Sequence, residues 1–326
     1  MVPLPSNLKV NITESSVSGL SSGGFMAVQM HLAYSNIFRG VGVFAGGPYN
    51  CAQGKVSAAT GVCLSGLPSG VPVPALITTT NTRSKDGSID PVSNIANSRV
   101  YLFSGTLDFT VHQAVVTACE TYYKNWVTQP SSIVYENTLQ ASHTWPTDNP
   151  NAANPCTISE TPYIARCNYD GAGMALQQIY SNTLKPRTPW AATLNGTLLN
   201  FDQTPFGSAS VGMASSGYVY IPASCAAASA VCRIHLALHG CLQNAQKVGD
   251  QFATGTGLNQ WADTNDIIVL YPQIECTSEV GGNPECCWDW WGYLSTEDKS
   301  NYDTKAGTQM HAILSMMQKI SGSDLS

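Results

Sequence analysis

The pentapeptide Gly-Leu-Ser-Ser-Gly at residues 19–23 constrains the fold of this chain more than any other segment. It joins a segment of strand character (10–18) to one of helix character (23–33), so it is a G-x-S-x-G at a strand-to-helix turn. Such a sharp turn strains the central Ser21 and requires nearly side-chain-free residues two positions before and after it. The hydroxyl then stands above a sheet, and the helix N-terminus offers free N–H groups to a developing oxyanion. The pattern predicts a nucleophile elbow at Ser21.

The composition limits the classes of function that are open to the chain. Of 326 residues, 43% are hydrophobic, enough for a sizeable core, and only 11% are charged, well below the usual quarter. The net charge of −6 argues against a nucleic-acid partner. No apolar run approaches the about 18 residues of a membrane span, so we expect no membrane partner.

The eleven cysteines of this weakly charged chain indicate an oxidising compartment. The sequons at Asn11 and Asn195 agree and are candidate glycosylation sites, although such triplets also arise by chance. The N-terminus has neither a basic nor an apolar signal region, so we expect a secreted, extracellular protein written in its mature form. Sequence does not determine disulfide connectivity; pairs close in sequence are favoured, namely Cys51–Cys63, Cys156–Cys167 and Cys225–Cys232. No cysteine spacing is typical of a zinc site, and we expect no metal.

Strands and helices alternate along the chain without a linker, an internal repeat or a low-complexity tract. The expected strands are 10–18, 40–45, 100–104, 132–139, 218–222, 233–238 and 267–271, and the main expected helices are 23–33, 112–126, 173–180, 245–253, 257–264 and 304–320. We expect the polar segment 149–170 to be an excursion held by a disulfide. The alternation predicts one α/β domain over residues 1–326, with a mostly parallel sheet and helices on both faces.

Two further side chains follow the elbow in the order that a Ser-Asp-His hydrolase requires. Asp108 comes just after the strand at 100–104, and His143 follows the strand at 132–139. Asp108 would fix the tautomer of His143, which would accept the proton of Ser21. Each residue alone has an ordinary alternative: a Gly/Ser turn, a helix cap and a loop histidine. Their common order and their register with the strands favour a catalytic triad on an α/β-hydrolase fold.

A His-Gly-Cys motif at residues 239–241 ends another predicted strand. In α/β-hydrolases an HG-type loop supplies the second oxyanion N–H, so we expect the amide of Cys241 to act together with that of Ser22. This loop ordinarily precedes the elbow, whereas here it lies far downstream of His143. Circular permutation is the simplest account. The helix at 304–320 would then precede the elbow strand in space, and the chain ends would lie side by side.

Three tryptophans, Trp288, Trp290 and Trp291, lie within four positions of a loop-rich segment. A core does not require so many in one loop, and indole rings suit an apolar, carbonyl-bearing polymer at the mouth of a site. In an extended segment Trp288 and Trp290 would share one face and Trp291 would point to the other. We expect a part of this set to bind substrate, with Trp290 favoured over Trp291.

Together these motifs resemble the esterase family of polyhydroxybutyrate (PHB) depolymerases, over nearly the whole chain. The late His-Gly-Cys motif is similar to that of the family's single-domain, circularly permuted, extracellular fungal branch. The resemblance is carried by Gly-Leu-Ser21-Ser-Gly-Gly-Phe-Met, the Asp108 loop, Ser-His143-Thr, Leu-His239-Gly-Cys241-Leu-Gln and Cys287-Trp-Asp-Trp-Trp. Many family members also carry a linker and a polymer-binding domain, and we expect neither in this chain.

The resemblance implies hydrolysis of poly(3-hydroxybutyrate) without a cofactor, by a triad of Ser21, Asp108 and His143 with oxyanion donors at Ser22 and Cys241. It also implies a tryptophan beside the active site and a disulfide from Cys241 to Cys287. The adjacent Cys286 leaves that pairing open; Cys276–Cys286 would be the fifth pair, with Cys119 free.

We therefore expect a monomeric serine esterase that acts on a solid polyester surface. The nearest alternative is a feruloyl or acetylxylan esterase on the same scaffold. A polymer-binding protein with an inactive triad is the alternative from another class.

Overall fold

The computed structural model describes residues 1–277, 282–294 and 301–325. The strands are β1 (Ser15–Leu20), β2 (Phe38–Phe44), β3 (Arg99–Phe103), β4 (Ile133–Glu136), β5 (Trp145–Thr147), β6 (Asn154–Pro155), β7 (Ile164–Arg166), β8 (Thr197–Asp202), β9 (Ser216–Ile221), β10 (Arg233–Leu238) and β11 (Ile267–Tyr271). The α-helices are α1 (Ser22–Ala33), α2 (Val56–Thr60), α3 (Val62–Ser65), α4 (Val73–Asp86), α5 (Gln113–Tyr123), α6 (Gly171–Ile179), α7 (Ala223–Ala226), α8 (Ala245–Val248), α9 (Gln251–Gly255), α10 (Leu258–Thr264) and α11 (Thr308–Ser321).

The main sheet has eight strands in the order β4-β3-β2-β1-β10-β11-β9-β8, and β5, β7 and β6 form a small separate sheet. The strands from β4 to β11 are parallel, and β9 and β8 close the sheet in antiparallel pairing. Every residue of β1 and of α1 is buried. A central parallel strand is covered on both faces, which is why β1 and its helix show no alternation of polar and apolar residues.

The strand order is that of an α/β-hydrolase in circularly permuted form. If the chain were cut before β8 and its ends joined, β8 to β11 would precede β1 to β4, and the loop after β10 would precede the elbow as it does in an ordinary hydrolase. Segments near the two ends of the chain lie side by side: the N–H of Leu8 donates to the carbonyl of Ile320 at 2.8 Å, and the N–H of Asn7 donates to the carbonyl of Lys319 at 3.2 Å. The fold class predicted from the order of the motifs is confirmed.

Several element boundaries differ from those expected. Val10 makes an isolated bridge to Cys232, and the elbow strand begins only at Ser15. The helix expected at 245–253 is divided at Gly249, whose φ of +63° ends α8. β8 was not expected, since four of its six residues are only half-buried and their pattern is correspondingly weak. The excursion at 149–170 contains β6 and β7 of the small sheet.

Five disulfides brace the loops: Cys51–Cys63, Cys156–Cys167, Cys225–Cys232, Cys241–Cys287 and Cys276–Cys286. They are the pairs that sequence proximity and the family resemblance favour. Cys119 is a buried free thiol in α5. The side chains of Asn11 and Asn195 are exposed. Within the described ranges, no helix is long and apolar enough to cross a membrane, and no cluster of three or more His, Cys, Asp or Glu side chains is suited to a metal ion.

Candidate active site

Ser21 occupies the turn between β1 and α1 in a strained backbone conformation, with φ 57° and ψ −121°. Non-glycine residues rarely adopt a positive φ, and such strain concentrates at functional sites. The turn is held from both sides, because the N–H of Ser21 donates to the carbonyl of Phe44 at 2.9 Å and its own carbonyl accepts from Phe25 at 3.0 Å. This is the geometry that the elbow motif predicts.

The two glycines of the motif are required by close backbone contacts. A Cβ at Gly19 would lie 2.2 Å from the carbonyl oxygen of Gly23. A Cβ at Gly23 would lie 2.2 Å from the carbonyl oxygen of Leu238 and 2.4 Å from that of His239. The first glycine therefore lets the strand pass under the start of α1. The second lets α1 begin directly against the end of β10.

His143 and Asp108 form a buried pair beside the elbow. The Nδ1–H of His143 donates to Oδ2 of Asp108 at 2.8 Å, and both side chains are almost inaccessible to solvent. The other carboxylate oxygen accepts from the N–H groups of Thr110 and Val111, both at 2.9 Å. These bonds fix the plane of the carboxylate. They leave Nε2 of His143 available as a base.

Ser21 and His143 line one cleft of about 530 Å³, which we call the catalytic cleft. Thr110 and Ser159 also line it, and Ser159 Oγ donates to the carbonyl of His143 at 2.9 Å. Among the described residues no hydrogen bond joins Ser21 Oγ to His143. Catalytic hydrogen bonds are often long before substrate binds and tighten in the complex, so this geometry is compatible with a working pair.

The loop after β10 leaves one amide free at the catalytic cleft. The N–H of Gly240 donates to Gln243 Oε1 at 2.8 Å, that of Leu242 to the carbonyl of Glu285 at 2.7 Å, and that of Gln243 to Gly240 at 3.3 Å. Between these hydrogen-bonded N–H groups, the N–H of Cys241 makes no hydrogen bond to any described residue. Ser22, the first residue of α1, also lines the cleft and has an N–H in the same state. Free N–H groups at this position suit a developing oxyanion.

Three other histidines, His31, His235 and His239, are buried and neutral. Burial lowers the pKa of His31 and His235 to about 3 and that of His239 to about 4. His239 Nδ1 donates to the carbonyl of Gly240 at 2.7 Å, and its Nε2 accepts from the N–H of Ile274 at 3.4 Å. None of the three lines the catalytic cleft, so none of them competes with His143 as a base there.

The tryptophan segment corrects one expectation. Trp288 is fully buried and donates its indole N–H to the carbonyl of His239 at 3.0 Å, so it belongs to the core and not to a binding surface. Trp290 and Trp291 both line the catalytic cleft, and Trp290 stacks on Phe25 with centroids 4.0 Å apart. The expected division of faces is therefore wrong.

The reason is that the segment curls instead of extending. The carboxylate of the buried Asp289 accepts from the N–H groups of Gly292 and Tyr293, at 2.7 and 2.8 Å, which winds the chain around one side chain. Burial raises the pKa of Asp289 to about 6. Sequence analysis assigned Asp289 no role, and its position between two tryptophans was the available signal.

Two disulfides connect this segment to the rest of the site. Cys241–Cys287 joins the loop after β10, which we call the oxyanion loop for its expected role, directly to the residue before Trp288, and Cys276–Cys286 holds the adjacent turn. Sequence analysis also missed most of the apolar wall of the catalytic cleft, formed by Leu20, Phe25, Val56, Ala59, Leu64, Tyr163, Leu242 and Pro284. These residues come from loops and short helices whose relative placement no local pattern encodes.

Comparison with known proteins gives consistent relatives. A family model described as Esterase PHB depolymerase matches residues 215–317. A poly(3-hydroxybutyrate) depolymerase of Delftia acidovorans is 47% identical over 323 residues, which are 98% of this chain; the chain spans 62% of that protein's length. A polyhydroxybutyrate depolymerase of Talaromyces funiculosus is 42% identical over 322 residues, with 95% of this chain and 90% of the relative covered.

Solved structures agree with the sequence relatives. The crystal structure of PHB depolymerase from Penicillium funiculosum superposes with a TM-score of 0.88 at 39% identity, over 98% of this chain and 99% of that one. A PHB depolymerase with a serine replaced by alanine, complexed with an R3HB trimer, gives the same values. Similarity of this extent covers the elbow, the sheet and the late His-Gly-Cys loop together. The protein therefore belongs to the PHB depolymerase family of serine-type ester hydrolases.

Proposed function

We propose that the protein hydrolyses poly(3-hydroxybutyrate) and related short-chain polyhydroxyalkanoates through an acyl-enzyme on Ser21. One observation carries the proposal: the hydrogen-bonded pair of His143 and Asp108 opens onto the same cleft as the strained Ser21 and the free amide of Cys241. The names of the relatives indicate the polyester substrate.

The reaction follows from these positions. Ser21 Oγ attacks the ester carbonyl while His143 Nε2 accepts its proton, and the N–H groups of Ser22 and Cys241 bind the resulting oxyanion. The imidazolium, oriented by Asp108, gives the proton to the ester oxygen of the departing chain as its bond to the carbonyl carbon breaks, so that chain leaves as an alcohol and a hydroxyacyl ester remains on Ser21. His143 then activates water, which releases the hydroxyacid and restores the serine. The steps need no cofactor or metal.

The walls of the cleft favour a polymer over a small polar ester. Trp290 and Trp291 offer indole surface beside the apolar wall, and Val56 lines the cleft while it is 57% exposed. Phe109, next to the proposed acid, is 78% exposed. Exposed apolar groups around a cleft suit contact with an apolar solid. A solid polyester surface is therefore the proposed partner.

We propose a secreted, extracellular monomer with a single catalytic domain over residues 1–326. Five disulfides support an oxidising compartment. The exposed Asn11 and Asn195 are accessible to glycosylation.

Replacement of the nucleophile tests the proposal. Ser21→Ala should abolish release of hydroxyacid from a polyhydroxybutyrate film, because loss of the nucleophile typically costs about a millionfold in turnover. An organophosphate should label the wild-type protein and not the variant. If the wild type is labelled but acts only on feruloylated or acetylated sugars, the substrate is wrong. A wild type that neither reacts nor hydrolyses would be a binding protein with an inactive triad.

A further inference from the structure

Gln243 lies between the two halves of the proposed catalytic site and is assigned no part in the reaction above. Its side chain is 1% exposed. Its Oε1 accepts from the N–H of Gly240 at 2.8 Å, and its Nε2 donates to the carbonyl oxygens of Pro162 at 2.9 Å and Tyr163 at 3.2 Å. One planar amide therefore joins the oxyanion loop to a segment that lies well before it in the sequence.

That second segment carries the surroundings of His143. The carbonyl of Tyr163 accepts from Gln243 and also from the N–H of Trp145, at 2.8 Å, two residues after His143. Ser159, in the same loop, donates to the carbonyl of His143. The side chain of Gln243 thus spans from the neighbour of one oxyanion donor to the backbone that holds the general base.

Gly240 is held by hydrogen bonds and lies one residue before the disulfide-bonded Cys241. A Cβ at Gly240 would meet its nearest neighbours at 3.4 to 3.5 Å, which are ordinary van der Waals distances, so no tight steric contact fixes this residue. Because Gly240 and Cys241 are adjacent, rotation at Gly240 would redirect the N–H of Cys241. A buried N–H that loses its acceptor drives such a rotation, since an unpaired polar group is costly.

We propose that Gln243 is a positioning residue, which aims the N–H of Cys241 at the oxygen of the ester carbonyl that Ser21 attacks and keeps that donor in register with His143. The inference rests on the proposed function of the same site. An amide suits this role because it provides one acceptor and two donors in a plane. A carboxylate accepts only, and a thioether does not donate.

The chain contains a matched control in Gln203. Its side chain is also fully buried, and its Oε1 accepts from the N–H of Gln273 at 2.9 Å. Its Nε2 donates to the carbonyl oxygens of Ala214 and Gln273, both at 2.8 Å. The bonding pattern equals that of Gln243, but Gln203 does not line the catalytic cleft. A variant at Gln203 therefore measures what the loss of a buried amide does to stability alone.

The experiment compares Gln243→Met with Gln203→Met on a soluble p-nitrophenyl ester. Active sites are counted with an organophosphate, so that kcat refers to folded enzyme, and thermal unfolding is followed in parallel. We expect Gln243→Met to lower kcat about 100-fold with KM changed less than about threefold, the effect of a displaced oxyanion donor. Gln203→Met should lower the melting temperature and leave kcat within about threefold of wild type, because it lacks a role at the site.

Gln243→Glu gives a second measurement, which does not depend on how the methionine variant folds. A protonated carboxyl group can both accept and donate, whereas the ionised form cannot donate to Pro162 and Tyr163. The ratio of kcat for this variant to kcat for wild type should therefore rise as the pH is lowered. Use of the ratio removes every pH effect that the two enzymes share.

Two outcomes overturn the inference. In the first, kcat of Gln243→Met stays within about threefold of wild type while both methionine variants lose the same amount in melting temperature. Gln243 would then have a purely structural role. The second is a pH-independent ratio for Gln243→Glu. Either outcome, with an active wild type and an inactive Ser21→Ala, would leave the proposed function intact. An inactive wild type would refute the proposed function itself.

Discussion

A single methyl group at Gly23 should separate the two proposed oxyanion donors, Ser22 and Cys241. Gly23 is the second residue of α1, and its missing side chain faces the end of β10, where a Cβ would lie 2.2 Å from the carbonyl oxygen of Leu238. Real Cβ atoms essentially never approach closer than 3.0 Å. In Gly23→Ala the start of α1 and the end of β10 must therefore separate by about 0.8 Å. Ser22 lies on one side of that gap, and Cys241 lies on the other.

The size of this movement sets the expected loss. A misplacement of about 1 Å in a catalytic constellation costs roughly 100-fold in rate, and overpacking of a tight contact costs about 1–3 kcal/mol in stability. We expect kcat of Gly23→Ala on a soluble ester to fall by about 100-fold with KM nearly unchanged. The melting temperature should fall by a few degrees. Steady-state kinetics with active-site titration and calorimetry measure both quantities.

Gly255→Ala is the matched control. It also adds one methyl group to a helix, here α9, but the Cβ would meet only the Ile164 side chain, whose nearest atom, at 3.1 Å, is its flexible end and can move aside. This variant should keep the activity and stability of the wild type. Full activity per titrated site in Gly23→Ala would refute the reasoning, because it would show that α1 and β10 can separate without disturbing the oxyanion donors.

Three further outcomes are expected. Reductant should lower ester hydrolysis before circular dichroism reports loss of the sheet, because the Cys241–Cys287 bridge ties the oxyanion loop to the tryptophan segment; coincident losses would contradict this. Burial lowers the pKa of His235 to about 3, so its contribution to stability is complete above its unfolded pKa near 6.5 and falls by up to about 1.4 kcal/mol per pH unit below it. The free energy of unfolding of His235→Gln, measured with urea, should accordingly fall less in acid than that of the wild type. An equal dependence of this free energy on pH in the two proteins would count against the prediction. Trp291→Ala should reduce film hydrolysis more than hydrolysis of a soluble ester, whereas Trp290, stacked in the wall, should affect both and lower stability; equal losses for Trp291→Ala would place the polymer contact elsewhere.

The elbow was accessible to sequence analysis because its constraints are local. Two glycines flanking Ser21 are demanded by contacts within one strand-to-helix turn and with the neighbouring strand. Asp108 and His143 could be placed beside the elbow because residues that follow the carboxyl ends of parallel strands meet at one edge of the sheet. Local spacing and strand order together were enough to indicate the fold and this edge.

The tryptophan loop was not accessible, because one buried carboxylate determines its path. The sequence predicted an extended segment. Instead, the carboxylate of Asp289 accepts hydrogen bonds from the N–H groups that follow it, and Trp288 is buried in the core. In the sequence, Gln243 was recognisable only as the last residue of the motif Leu-His239-Gly-Cys241-Leu-Gln. Its proposed role depends on the carbonyl groups of Pro162 and Tyr163, which lie 81 and 80 residues away. No periodicity or spacing encodes a contact of this kind.

The permuted order makes the register between β1 and β10 a condition for function. These neighbouring strands lie far apart in the sequence, and His235 of β10 is hydrogen-bonded to both Ser16 and Ser18 of β1, at 2.7 and 2.8 Å, across 219 and 217 positions. A slip of one residue would turn both serines to the other face of the sheet and leave the imidazole buried without partners. Ser18 lies in the strand that leads to Ser21, and His235 lies in the strand that leads to Cys241. The polar contact that fixes the register therefore also fixes the proposed nucleophile against its proposed oxyanion donor, which is a reason for a neutral histidine at a position where an aliphatic residue would also pack.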